Sequence, residues 1–96
     1  MKTISISNKA GTFAENKDVA RELRKKQILP TLAKNDEKII LDFSNVTGAT
    51  QSFIHALISE GIRTYGDSIF DRIQFKNCSP AVREVINIVA DYMQES

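Results

Sequence analysis

Apolar positions along this chain change their period several times, and each change marks a new element. From Lys2 to Ser7 they alternate, with Ile4 and Ile6 on one side and Thr3, Ser5 and Ser7 on the other. Period two with β-branched residues predicts a strand with one wetter face. Gly11-Thr12-Phe13 is a candidate for a short second strand after a turn. From about Asn16 to Lys34 the period is helical, with Asn16 placed to cap and Asp18 near the positive end of the dipole. Val19, Ala20 and Leu23 form one stripe, while Ile28, Leu29, Leu32 and Ala33 form a second that points elsewhere. Pro30 cannot donate to the carbonyl of Lys26, so the pattern predicts a kinked or two-part helix.

Lys38-Ile39-Ile40-Leu41-Asp42-Phe43 is continuously apolar up to an acid, which predicts a strand buried on both faces, as in a parallel sheet. From Ser52 to Tyr65, Phe53, Ile54, Leu57, Ile58, Ile62 and Tyr65 recur at helical spacing. Gly61 shares their face, small enough for close approach to a sheet, while Ser52, His55, Ser59 and Arg63 share the wetter side. Ile73-Gln74-Phe75 reads as the core of a last strand. Ser79-Pro80 then opens a last helix with the buried stripe Val82, Val85, Ile86, Val89 and Met93.

The alternation of strands and helices predicts an α/β domain with a central, mainly parallel sheet of about four strands and right-handed crossovers. The breaks, Asn8 to Gly11, Lys34 to Glu37, Ser44 to Thr50 and Gly66 to Ser68, are short, so residues 1–96 are expected to form a single domain. Hydrophobic residues at 42% and charged residues at 26% suit a globular chain. Such a length buries roughly 60–70% of its unfolded surface, enough for a core without disulfides or metals.

Charge and chemistry remove several function classes. Thirteen Lys and Arg against twelve Asp and Glu leave a net charge of +1, no strong field for nucleic acid or anionic lipid. The run Arg24-Lys25-Lys26 lies among Glu15, Asp18 and Glu22 and reads as a solvated helix face. One Cys, Cys78, makes no internal disulfide, and with a single His it makes a poor zinc site. No apolar run approaches the roughly 20 residues of a membrane span, and the first residues have no signal-peptide core, so the expected compartment is the cytoplasm, with no membrane partner. No phosphate-cradling glycine loop, nucleophile elbow or metal-ligand spacing is present, so no cofactor, metal or catalytic residue is expected. His55 reads as an exposed helix residue and Cys78 as a half-buried filler.

One polar cluster stands out by position. Asp42, Ser44, Thr47, Thr50, Gln51 and Ser52 run from the end of the central strand to the start of the next helix. In an open α/β sheet that is the carboxyl edge, where ligands bind, and a helix N-terminus offers amide donors to an anion. The same residue types also build ordinary turns and caps. On chemistry alone both readings stand.

The stretch Ile40-Leu41-Asp42-Phe43-Ser44-Asn45-Val46-Thr47-Gly48-Ala49-Thr50-Gln51-Ser52-Phe53-Ile54-His55-Ala56-Leu57-Ile58 resembles the signature of STAS domains, found in anti-sigma-factor antagonists and sulphate transporters. Ile73-Gln74-Phe75-Lys76-Asn77-Cys78-Ser79-Pro80-Ala81-Val82-Arg83 is similar to their last strand and helix, with its Asn-x-Ser-Pro-x-Val-Arg pattern. The helix carrying Pro30 and the Ser52-Phe53 pair resemble a divergent STAS-like family of unknown function. The resemblance runs from about Asn16 to Met93. A gapless alignment sets Thr50 where the antagonists have Asp, Gln51 where they carry the phosphorylated Ser, and Ser52 at their second Ser. Gln51 has no hydroxyl, so the standard phosphoswitch cannot operate there, and Ser52 is the fallback acceptor.

The resemblance implies a STAS-like fold and a non-enzymatic, cytoplasmic regulatory module in signal transduction. Its implied partner is a kinase-like ATPase or an anti-sigma-type protein, bound through Asp42, Ser44, Thr50, Gln51, Ser52 and His55. The alternative is a small-molecule, nucleotide or anion sensor built on the amide donors at the start of the Ser52 helix.

Overall fold

The computed structural model describes residues 1–34 and 37–95, with the backbone alone at residue 95. In chain order the elements are β1 (Lys2–Ser5), α1 (Ile6–Ala10), β2 (Phe13–Ala14), α2 (Lys17–Leu23), a π-helical turn (Arg24–Ile28) and α3 (Leu29–Leu32). They continue as β3 (Ile39–Asp42), β4 (Gly48–Ala49), α4 (Gln51–Tyr65), a 3₁₀ turn (Gly66–Ser68), α5 (Ile69–Arg72), β5 (Ile73–Lys76) and α6 (Pro80–Glu95).

The unbroken apolar run lies at the centre of the main sheet. β3 lies between β1 and β5 in a wholly parallel sheet of order β1-β3-β5, with Ser5, Asp42 and Lys76 in register at its carboxyl edge. Ile39, Ile40 and Leu41 are all buried, as a strand covered on both faces requires. Phe43 continues the run into the core and packs a tilted ring 6.4 Å from that of Phe75.

The main sheet has three strands rather than the expected four or so. The short second strand starts at Phe13 and pairs in parallel with β4 as a separate two-stranded ladder. β4 comes from a segment that reads as a loop, because two residues are too few to show a period. β1 ends at Ser5, two residues short of the alternation's end. Ile6 begins a helix and still buries its side chain, so the alternation survives while the conformation changes.

The expected break in the second helix is present and has a specific form. Asn16 caps α2, its side chain accepting from the Asp18 amide at 2.9 Å. The π-helical turn precedes Pro30, and the Leu29 amide reaches back five residues to the Arg24 carbonyl. A wider turn there avoids the acceptor that Pro30 cannot serve. Leu23, Ile28 and Leu32 are buried on either side of it, whereas Ala33 is exposed. The break expected over residues 34–37 includes residues 35 and 36, which lie outside the described residues.

α4 is the central helix of the packing. It buries Phe53, Ile54, Leu57, Ile58 and Ile62, and α2, the π turn and α6 pack against it. Gly61 does face a close neighbour, but not the sheet. A Cβ there would meet the side chains of Ile69 and, at 3.3 Å, Leu32, so α5 and α3 take the space. Ser79 opens α6 as expected, its hydroxyl accepting from the Val82 amide at 3.2 Å. No helix among the described residues is long and apolar enough to cross a membrane.

Candidate functional site

The sequence-predicted cluster divides by what its side chains do: some are tied up in local bonds and others line a cleft. At the carboxyl edge, Asp42 Oδ1 accepts from the Ser44 amide at 2.9 Å, the Ser44 hydroxyl at 2.7 Å and Asn77 Nδ2 at 3.0 Å. Asn77 lies just past β5 with φ of 60°, a conformation that Asn tolerates better than most residues. The Asn77 and Ser44 side-chain bonds, with the Ser44 amide, hold the Asp42 carboxyl below the usual aspartate range despite some desolvation. Asp42 therefore ties the end of β3 to its own turn and to the end of β5. Thr50 is likewise engaged: its hydroxyl accepts from the Phe53 amide at 3.1 Å, and its own amide donates to the Ala14 carbonyl at 3.0 Å. Asp42, Ser44 and Thr50 are occupied in turn and cap bonds.

Gln51, Ser52 and His55 line a cleft of about 560 Å³ bounded by α2, α4 and α6. Helical spacing builds it. Lys17, Arg21 and Arg24 follow one another at steps of four and three, so α2 and the start of the π turn present them on one face. Across the cleft stand Ser52, His55, Ser59 and Arg63 of α4, and Ile88 and Tyr92 of α6 close it. The lining holds four permanently cationic side chains and no carboxylate. Arg21 and Arg63 are each paired on their own helix, with Asp18 at 3.1 Å and Glu60 at 3.4 Å, both exposed contacts.

Arg24 overturns the expectation of a solvated basic run. Lys25 and Lys26 are exposed, but Arg24 is half-buried, and its Nη1 donates to the Ala56 carbonyl at 3.4 Å. Its Nε is fully buried and has no hydrogen-bond partner among the described residues. The α2 stripe was legible as cations at positions 17, 21 and 24. That it turns inward depends on α4 and is not a local property.

Cys78 is half-buried beside Lys76, and burial pushes its thiol up, so it stays protonated at neutral pH. Among the described residues no group of three or more His, Cys, Asp or Glu gathers as a metal site would require.

A parallel sheet with a helix opening at its carboxyl edge, and the Asp42–Asn77 link across that edge, define an α/β domain with its polar cluster at that edge. The chain belongs to the family described as STAS-like domain of unknown function (DUF4325), whose model matches residues 19–83. No curated protein and no solved structure matches it.

Proposed function

We propose that this STAS-like domain is a non-enzymatic, cytoplasmic regulatory module that docks a kinase-like ATPase or anti-sigma-type protein on the first turn of α4 and the adjoining face of α6. One observation carries this reading. The exposed Gln51 and Ser52 line the same cleft as Ile88, 43% exposed, and Tyr92, 66% exposed. Exposed aromatic and aliphatic side chains one helical turn apart, next to exposed polar groups, are the usual makings of an interface anchor. Asp42, Ser44 and Thr50 order the segment that leads into α4, because their bonding capacity is largely committed to the turn and the cap. Gln51 supplies no hydroxyl, so docking is not switched by phosphate at that position.

The test is binding of the purified chain to a histidine-kinase-like ATPase and an anti-sigma-type protein of the same cell. Wild type should bind one of them, Tyr92→Ala and Ser52→Glu should each weaken binding at least about ten-fold, and Lys25→Ala should leave it unchanged. Equal binding by wild type, Tyr92→Ala and Ser52→Glu would reject this face, and binding to neither partner would reject the partner class.

A further inference from the structure

We propose that the cleft between α2, α4 and α6 is a binding site for a small organic phosphate, its phosphate held by Arg24, Arg21 and Arg63 and its less polar part lying against Tyr92. The first support is the buried Nε of Arg24, which has no partner among the described residues. A charged donor withdrawn from water without an acceptor is a state that folded proteins avoid, and turning the Arg24 side chain towards an anion in the cleft would relieve it. The second is the lining itself, which holds Lys17, Arg21, Arg24 and Arg63 and no carboxylate. A buried donor without a partner among the described residues thus borders a cleft lined by cations.

The charge of the ligand follows from the lining. Lys17, Arg21, Arg24 and Arg63 present more donors than a single carboxylate can accept, whereas a phosphate monoester offers two charges and three terminal oxygens. The acids that pair with Arg21 and Arg63 are exposed, and such pairs give way readily to a better acceptor. The amides of Gln51 and Ser52, at the start of α4, have no intrahelical acceptor and add to the positive potential. Size and shape favour a small molecule: about 560 Å³ falls within the usual 300–1,000 Å³ of ligand clefts. A polynucleotide is disfavoured because Asp18 and Glu60 flank the cations and the whole chain carries only +1.

The inference shares Tyr92 and the cleft with the docking surface but does not depend on a protein partner, and it is measured on the isolated chain, so the two readings fail separately. Calorimetric titration with ADP, pyrophosphate and adenosine at physiological salt tests it. ADP and pyrophosphate should bind and adenosine should not. Arg24→Met should weaken ADP at least about ten-fold. Arg63→Gln, an exposed change that leaves the core untouched, should weaken it several-fold, and Lys25→Gln should not alter it. Absence of ADP binding would overturn the proposal. So would adenosine binding as tightly as ADP, or ADP affinity unchanged in both arginine variants. Binding of pyrophosphate alone would remove the organic part, and a single-stranded oligonucleotide binding more tightly than ADP through the same arginines would replace the ligand class.

Discussion

Two half-buried arginines occupy opposite circumstances in this domain. Arg72, the last residue of α5, donates to the carbonyls of Leu32 at 2.9 Å, Lys34 at 2.7 Å and Glu37 at 3.0 and 3.2 Å, with a longer approach to Thr31. It satisfies carbonyls that the end of α3 leaves open and ties them to the approach to β3, where a positive charge also suits the helix dipole. Arg24 has one long bond to a carbonyl and a buried Nε with no partner among the described residues. The same side chain is thus structural in one place and unsatisfied in the other. Burial alone does not separate the two roles; where the donors find acceptors does.

The largest effect is expected at Arg72. Arg72→Ala removes several carbonyl partners at once and should lower stability by about 2–4 kcal/mol, measured by denaturant unfolding. Arg72→Lys should recover less than half of that loss, because a single ammonium cannot span the carbonyls the guanidinium joins. An Arg72→Ala midpoint equal to wild type would place the two arginines in one class.

Asp42 extends the contrast to an acid whose bonds are complete. Its carboxyl sits below the usual aspartate range because of Asn77 and Ser44. Ionisation there stabilises the fold above the ordinary aspartate pKa of about 4, and that contribution is lost as pH falls through the lower folded value. Asp42→Asn should therefore be less stable than wild type at neutral pH, with the gap closing in acid. Unfolding curves that stay parallel across the acid range would show that the knot at the carboxyl edge contributes nothing through its charge.

Much of this arrangement was legible in the chain, and the illegible part shares a physical cause. The buried run Ile39-Ile40-Leu41, the Asn16 and Ser79 caps, the break near Pro30 and the position of Asp42 follow from period, capping chemistry and the missing amide of proline, all properties of a few neighbouring residues. The Asn-x-Ser-Pro pattern contains Asn77, but its bond to Asp42 across the sheet edge was not announced by it. Likewise, nothing near Arg72 announces carbonyls some 35 to 41 positions away. β4 needs β2 as its partner, and a two-residue ladder leaves no pattern of its own. The cleft needs three helices: Lys17, Arg21 and Arg24 form a visible stripe, Ser52, His55, Ser59 and Arg63 form another, but only packing sets them face to face. Closeness in sequence grouped Asp42 with Gln51; it did not show that Asp42 is bonded to Ser44 and Asn77 while Gln51 lines the cleft.

Denaturant midpoints of Arg24→Met and Arg72→Met, taken side by side without added ligand, separate a charge that serves the fold from one that serves a ligand. Methionine keeps much of the aliphatic stem in each case and removes the guanidinium. Arg72→Met should lose about 2 kcal/mol or more. Arg24→Met should lose nothing and gain up to about 1 kcal/mol, since it removes a buried donor that has no partner among the described residues. A midpoint for Arg24→Met lowered as far as that of Arg72→Met would contradict this, and would make the Arg24 guanidinium part of the scaffold and the cleft a by-product of packing.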